Sequence, residues 1–316
     1  MQRARMANVV SVARQPTAEK LAAPPSRDAA LLAVAIAGVS FSGPLMAATA
    51  APALAISLWR NVMGAGFVAA ATVVRRDARR DARNVGRRAW ALAALGGVAL
   101  ALHFGTWVPS LTMTSVASAT ALVCAQPIFA GLIALALGRR LPGLAWVGIV
   151  VAALGTALVA GADLSVSARA LGGDLLALAG GCAAAAYVTI GAAARARMST
   201  TAYTAVCYAV CAGLLLIACV VGGVHMTGFS GNAWLKIVLV TLCAQLLGHT
   251  LINVVLHTTS PTVVSLTLLV ETPGAALVAY LWLHQRPPLT ALPGLLVLLG
   301  GLALVVRARG TPADID

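Results

Sequence analysis

The chain has 316 residues, 60% of them hydrophobic and only 10% charged, with a formal net charge of +13. Soluble domains usually carry about 25% charged residues, so this composition excludes an ordinary soluble core and points to a chain whose solvent is mostly lipid. The positive charge does not indicate nucleic acid, because the 22 Lys and Arg residues sit almost entirely between apolar runs and form no aromatic-studded basic face.

Residues 1–28 carry five basic residues together with Pro16, Pro24 and Pro25, and read as a flexible cytoplasmic tail. The apolar run that follows is too long for the core of a signal peptide and is read as the first membrane span. A span needs about 20 mostly apolar residues to cross about 30 Å. By that rule spans are expected at 29–50, 53–74, 89–109, 112–137, 143–162, 173–194, 201–223, 234–256, 261–283 and 290–306. The expected fold class is an all-α integral membrane protein with ten transmembrane helices. Only a turn near Pro52 divides the first two.

Basic residues set the orientation, since cytoplasmic loops are enriched in them. With the N-terminus cytoplasmic, 18 of the 22 fall inside, seven of them in the connection RRDARRDARNVGRR. Arg60, Arg169, Lys236 and Arg286 lie on or toward the other side. Both termini are therefore expected in the cytoplasm, with the chain in the cytoplasmic (inner) membrane. The six cysteines fall within apolar runs, without a CxxC or a Cys/His cluster. They read as small buried apolar residues, and no metal or cofactor is expected.

The two halves of the chain match without gaps at an offset of 146: His103 on His249, Thr112 on Thr258, Pro127 on Pro273, Arg140 on Arg286, Pro142 on Pro288, Gly148 on Gly294 and Gly155 on Gly301. A weaker match at 144 sets LLAVA at 31–35 against LLALA at 175–179. Shared Ala and Leu are cheap in such a chain, but paired His, Pro and Arg at one shift are not. Two five-helix units follow, 29–162 and 173–307, with a connection at 163–172 and a C-terminal tail at 308–316. Five is odd, so the second unit enters the membrane from the opposite side. Inverted repeats of this kind recur in secondary transporters, which bind substrate near the midplane between the halves.

The stretch HFGTWVPSLTMTSVASATALVCAQPIFAGLIALALGRRLPG (103–143) resembles the EamA-type branch of the drug/metabolite transporter superfamily, and so does LLGHTLINVVLHTTSPTVVSLTLLVETPGAALVAYLWL (246–283). The resemblance covers residues 29–307. It implies ten helices in two inverted repeats, both termini cytoplasmic, and a central cavity lined chiefly by the first, third, fourth, sixth, eighth and ninth helices. It also implies efflux of small metabolites or toxic organic compounds. Many members carry an acid in a Gly-Glu-Arg-like turn after the fourth and ninth helices. This chain has Gly138-Arg139-Arg140 and His284-Gln285-Arg286 there, so no role for those acids carries over.

Glu271 is the prime site candidate. It lies about ten residues into its span, or about 15 Å deep at 1.5 Å per residue, where insertion scales put an ionised acid at about 2.5–3.5 kcal/mol. Its match in the first half is Ala125, so the acid belongs to one unit only. Pro273 lacks an N–H for the carbonyl of Leu269, as Pro127 does for Val123, and both are expected to kink their helices. Such breaks are tolerated where they line a cavity or meet another helix. Two readings stay open: a cavity-facing acid serving as a proton site or a contact for a substrate amine, or a protonated acid bonded to a neighbouring helix.

His103 and His249 either change charge near neutral pH or act as neutral interhelical hydrogen-bonders. His249 shares a helix face with Asn253 at i,i+4. Arg60 either snorkels to the interface or captures a substrate carboxylate near the outer mouth. Trp107, Tyr187, Phe41, Gln126 and Trp282 are further cavity candidates. For Trp107 and Trp282, near span ends, an interfacial belt is the default; Tyr187 and Phe41 sit deeper.

The leading functional reading is a secondary transporter that exports a small organic solute by alternating access; Glu271 and the histidines are the candidates for proton coupling, and facilitated exchange stays open beside it. One carboxylate and one arginine suit a zwitterion, and many other solutes as well. No Walker-type loop is present to support direct ATP use. A membrane scaffold or receptor is the alternative. An integral membrane enzyme would need convergent acids, histidines or a metal cluster, and the chain offers one deep acid and dispersed histidines.

Overall fold

The computed structural model describes residues 25–74, 85–138, 142–164, 167–256, 258–259, 264, 267–286 and 289–308. The N-terminal tail up to residue 24, the arginine-rich stretch 75–84, Arg139 and Arg140, and the C-terminal residues 309–316 lie outside the described residues.

Among the described residues every regular element is helical. The first span is divided into α1 (Ser26–Ser40) and α2 (Ser42–Ala47), and the second is α3 (Ala53–Val74). The third is α4 (Arg87–Ser110), and the fourth comprises α5 (Val116–Val123) and α6 (Gln126–Ala136). Then come α7 (Gly143–Leu164), α8 (Ala168–Arg195) and α9 (Thr200–Val221). The eighth span runs through α10 (Gly231–Val240), a π-helical segment Thr241–His249, and α11 (Thr250–Val255). The ninth enters through a 3₁₀ turn, Leu268–Val270, into α12 (Glu271–Leu283). The tenth is the 3₁₀ turn Leu289–Ala291 followed by α13 (Leu292–Arg307).

Seven of these helical stretches, among the described residues, are long and apolar enough to cross a membrane. The other three expected spans are helical over α7, α12 and α13. Large apolar side chains point outward on many helices, Phe67, Leu154, Val221 and Leu296 among them. In lipid this needs no covering partner.

Serine hydroxyls start four of the helices by accepting from the third backbone N–H beyond them: Ser115 from Ser118 at 3.0 Å, Ser167 from Ala170 at 3.1 Å, Ser199 from Ala202 at 3.3 Å and Ser230 from Ala233 at 3.2 Å. With the cap at Ser167, helix reaches into the expected connection 163–172 from both sides, since α7 runs to Leu164 and α8 begins at Ala168. Serine is a strong stop-and-start signal that the hydropathy count ignores.

The helices of the two units pair across the molecule. The third span packs on the sixth and the first on the eighth; the second meets the seventh, the fourth the ninth and the fifth the tenth. Exchanging the two halves leaves this pattern unchanged. Gly155 and Gly301 show the same reciprocity at residue level. A Cβ on Gly155 would run into the backbone of Leu298, and one on Gly301 would run into the backbone of Ala152. Ala152 and Leu298 are themselves 146 positions apart. Such a contact, in which i touches j and j′ touches i′, is the mark of a two-fold relation. It also explains why both positions are glycine: packing drives helix association in lipid, and small residues let backbones approach.

Candidate functional site

A cavity of about 50 Å³ opens between the two units. The first span contributes Val39 and Ser42, the third His103 and Trp107, the fourth Val123, Cys124 and Gln126. The sixth contributes Ala184, Tyr187 and Val188, the eighth His249 and Ile252, the ninth Leu268 and Glu271. These are the six spans that the resemblance implies.

Proline chemistry builds one wall. Pro127 is the second residue of α6 and Pro273 the third of α12, so each stands in a first helical turn, where its missing N–H costs nothing. The expected kinks are thus breaks: the chain stops one helix and starts another. The two breaks meet. Cys124, between α5 and α6, donates its thiol to Leu268 O at 3.6 Å and lies 3.9 Å from Glu271 Oε2. The carbonyl of Val123, which Pro127 cannot serve, faces Gly181 of α8, where a Cβ would come within 2.8 Å. Glu271 therefore sits not in mid-helix but at the first position of α12, buried to 9% exposure. An acid at a helix start stands at the positive end of the helix dipole.

The opposite wall is aromatic. His103 stacks on Trp107 with centroids 5.5 Å apart, and His249 meets the edges of Phe104 and Tyr187 at 5.5 and 6.2 Å. Nδ1 of His103 lies 3.0 Å from the carbonyl of Gly180. A carbonyl only accepts, so Nδ1 carries the proton and donates, and Nε2 is left for the cavity side. Asn253 does not reach the cavity. It donates to Tyr187 Oη at 2.6 Å and to His249 O at 2.8 Å, so it holds two wall residues in place.

Three expectations change. Trp107 is 3% exposed and part of the cavity wall, not of an interfacial belt, because its side of α4 packs on α8, where a Cβ on Gly180 would lie 2.9 Å from its own. Phe41 is 45% exposed and absent from the wall. It occupies the break between α1 and α2, and the turn there directs the next residue, Ser42, inward. Arg60 does not snorkel: it is 0% exposed and held on three sides. Its Nε donates to Gln245 Oε1 at 3.1 Å, one terminal nitrogen lies 3.3 Å from Ser42 Oγ and 3.5 Å from Met46 Sδ, and the guanidinium rests 4.3 Å from the Phe104 ring centroid. Its other terminal nitrogen has no hydrogen-bond partner among the described residues. Arg60 therefore stands directly behind Ser42, within electrostatic reach of Glu271. Trp282, 44% exposed, faces outward.

Gln245 was not foreseen. It bridges the units, accepting from Arg60 and donating to Asn61 Oδ1 at 3.0 Å. The π-helical geometry of Thr241–His249 is what presents it. Such segments are rare and concentrate at functional sites; its wider turn gives the carbonyl of Gln245 the backbone N–H of Thr250, and the hydroxyls of Thr250 and Tyr208 also reach it, at 3.1 and 3.4 Å. The one sequence signal was a glutamine four residues before a histidine inside a span. Ser42 and Cys124 gave none beyond lying next to Phe41 and near Pro127.

A duplicated helical unit enclosing a chamber with a few polar groups in a mostly apolar wall defines a multi-span membrane protein of the transporter kind. The EamA-like transporter family profile matches residues 29–161 and 171–307, and the chain belongs to that family. One solved structure, described only as "Crystal structure of protein", is similar at a TM-score of 0.66 and 17% identity, over 89% of this chain and 97% of that one. At that identity the likeness concerns the fold alone. The search of curated proteins finds no match.

Proposed function

We propose that this protein is a secondary transporter that exports a small organic solute by alternating access. In this reading the ten helical segments are ten spans, forming two inverted five-helix units in the cytoplasmic membrane with both termini inside. The observation that carries it is the chamber itself. Six spans from both units enclose it, and its wall carries the deep acid Glu271 and the matched pair His103 and His249, with the buried Arg60 packed behind the wall residue Ser42. A volume of about 50 Å³ admits a few water molecules and no metabolite. The arrangement is thus a closed one, and the units must part to load solute.

Glu271 and the unpartnered nitrogen of Arg60 supply opposite charges on one side of the chamber, which suits a zwitterionic solute. Glu271 is also the candidate proton carrier. A metabolite screen of uptake into proteoliposomes, with and without a pH gradient, tests the reading. Solute flux that responds to the gradient supports it; absence of flux for every solute overturns it.

A further inference from the structure

The repeat register extends to the helix starts. Asp28, in the first turn of α1, and Asp174, near the start of α8, are separated by the same 146 positions. Both are buried, at 7% and 0% exposure. Asp28 Oδ2 accepts hydrogen bonds from the hydroxyls of Thr258 and Thr259, the latter at 3.1 Å, just beyond α11. In the first unit those positions correspond to Thr112 and Met113, just beyond α4.

The start of α8 meets that stretch in the same register. A Cβ on Gly173 would lie 2.9 Å from Met113 Cβ and 3.1 Å from Thr114 N. Arg169 donates to Thr112 O at 3.1 Å, which fastens the same junction from the helix end. The first helix of each unit is therefore clasped, at its beginning, to the chain leaving the third helix of the other unit. The contacts put the helix starts in register at 146, two residues from the weaker match at 144.

A buried carboxylate is stable only while donors surround it. Closed, the clasp at Asp28 supplies two hydroxyls and the dipoles of a helix start. Open, water supplies them. Intermediate positions offer neither, which makes such a junction two-state. We propose that Asp28 and Asp174 are paired latches, each sealing one end of the chamber and released in turn. The alternation rests on the transporter reading above: with five spans between them, α1 and α8 begin at opposite membrane surfaces. Both junctions are packed in this structure, Asp28 on Thr258 and Thr259 and, beside Asp174, Gly173 on Met113 and Thr114, in keeping with the small chamber.

Amide hydrogen exchange on the full chain in lipid nanodiscs tests the latches without a known solute. Asp28→Ala is expected to raise exchange at the start of α1 and in α11, leaving the end of α4 and the start of α8 as protected as in the wild type or more so. Asp174→Ala is expected to do the reverse. Thr258→Val removes one of the two hydroxyls from Asp28, and Asp174→Asn keeps the shape of its side chain; each should give the same end-selective pattern more weakly, should the alanine variants not fold. Exchange that rises at both ends alike, or at neither, overturns the proposal. Wild-type flux in proteoliposomes separates the two readings. End-selective exchange without flux keeps the latches and removes the transporter reading; flux without end-selectivity does the opposite.

Discussion

The rings of His103 and His249 meet edge to face in the aromatic wall of the chamber, with centroids 6.3 Å apart and planes at 64°, although 146 positions separate them in the chain. Each occupies the same place in its own unit, so the pair marks where the two halves meet. A His103→Cys/His249→Cys protein, with Cys124→Ser to remove the wall thiol, should be joined by a short bifunctional thiosulfonate. The product is read as a single chain that resists separation after cleavage of the connection at Ser167. Two fragments after cleavage, with both thiols labelled singly, would deny the shared wall.

Glu271→Gln removes the charge and keeps the shape. It is expected to leave helix content and detergent stability near wild type while abolishing most of the uptake that depends on a pH gradient. Unchanged, pH-responsive uptake would show that the acid only packs between the two broken spans.

Gln245→Ala should destabilise the protein by about 1–3 kcal/mol, the cost of leaving a buried donor and a buried acceptor unsatisfied. The amide serves Arg60 Nε and Asn61 together, so both lose their partner at once. Thermal unfolding in detergent measures it. A loss no larger than that of an exposed apolar substitution such as Leu247→Ala, on the same segment but 47% exposed, would remove Gln245 from the network.

Asn253→Ala leaves the hydroxyl of Tyr187 without its 2.6 Å donor, with an expected loss of about 1 kcal/mol. Tyr187→Phe should cost less, because Asn253 keeps its bond to His249 O. The ordering of the two unfolding temperatures is the check.

Gly155→Ala and Gly301→Ala should each cost about 1–3 kcal/mol by overpacking, and by similar amounts, because each Cβ meets backbone that cannot swing away. Gly300→Ala, next in the chain but with open space at its Cβ, should be neutral or slightly stabilising. Equal effects at Gly300 and Gly301 would contradict the reciprocal packing of the fifth and tenth spans.

The sequence by itself determined the solvent, the helical class and the duplication. Lipid demands long apolar segments whose backbone bonds close internally, and that demand is local and can be counted. The repeat is equally legible, because His103, Pro127 and Gly155 recur at one shift in a chain where such residues are scarce or costly. The tertiary structure alone decided which residues face the chamber. A helix surrounded by lipid on one side and by apolar neighbours on the other carries no amphipathic stripe to separate the two. Hydropathy therefore could not tell that Phe41 turns out and Ser42 in, that Trp107 and Arg60 lie inside and not at the interface, or that Gln245 bridges the units. Breaks and register shifts that depend on the partner helix, at Cys124, at Leu268–Val270 and through the π-helical segment, brought those side chains together.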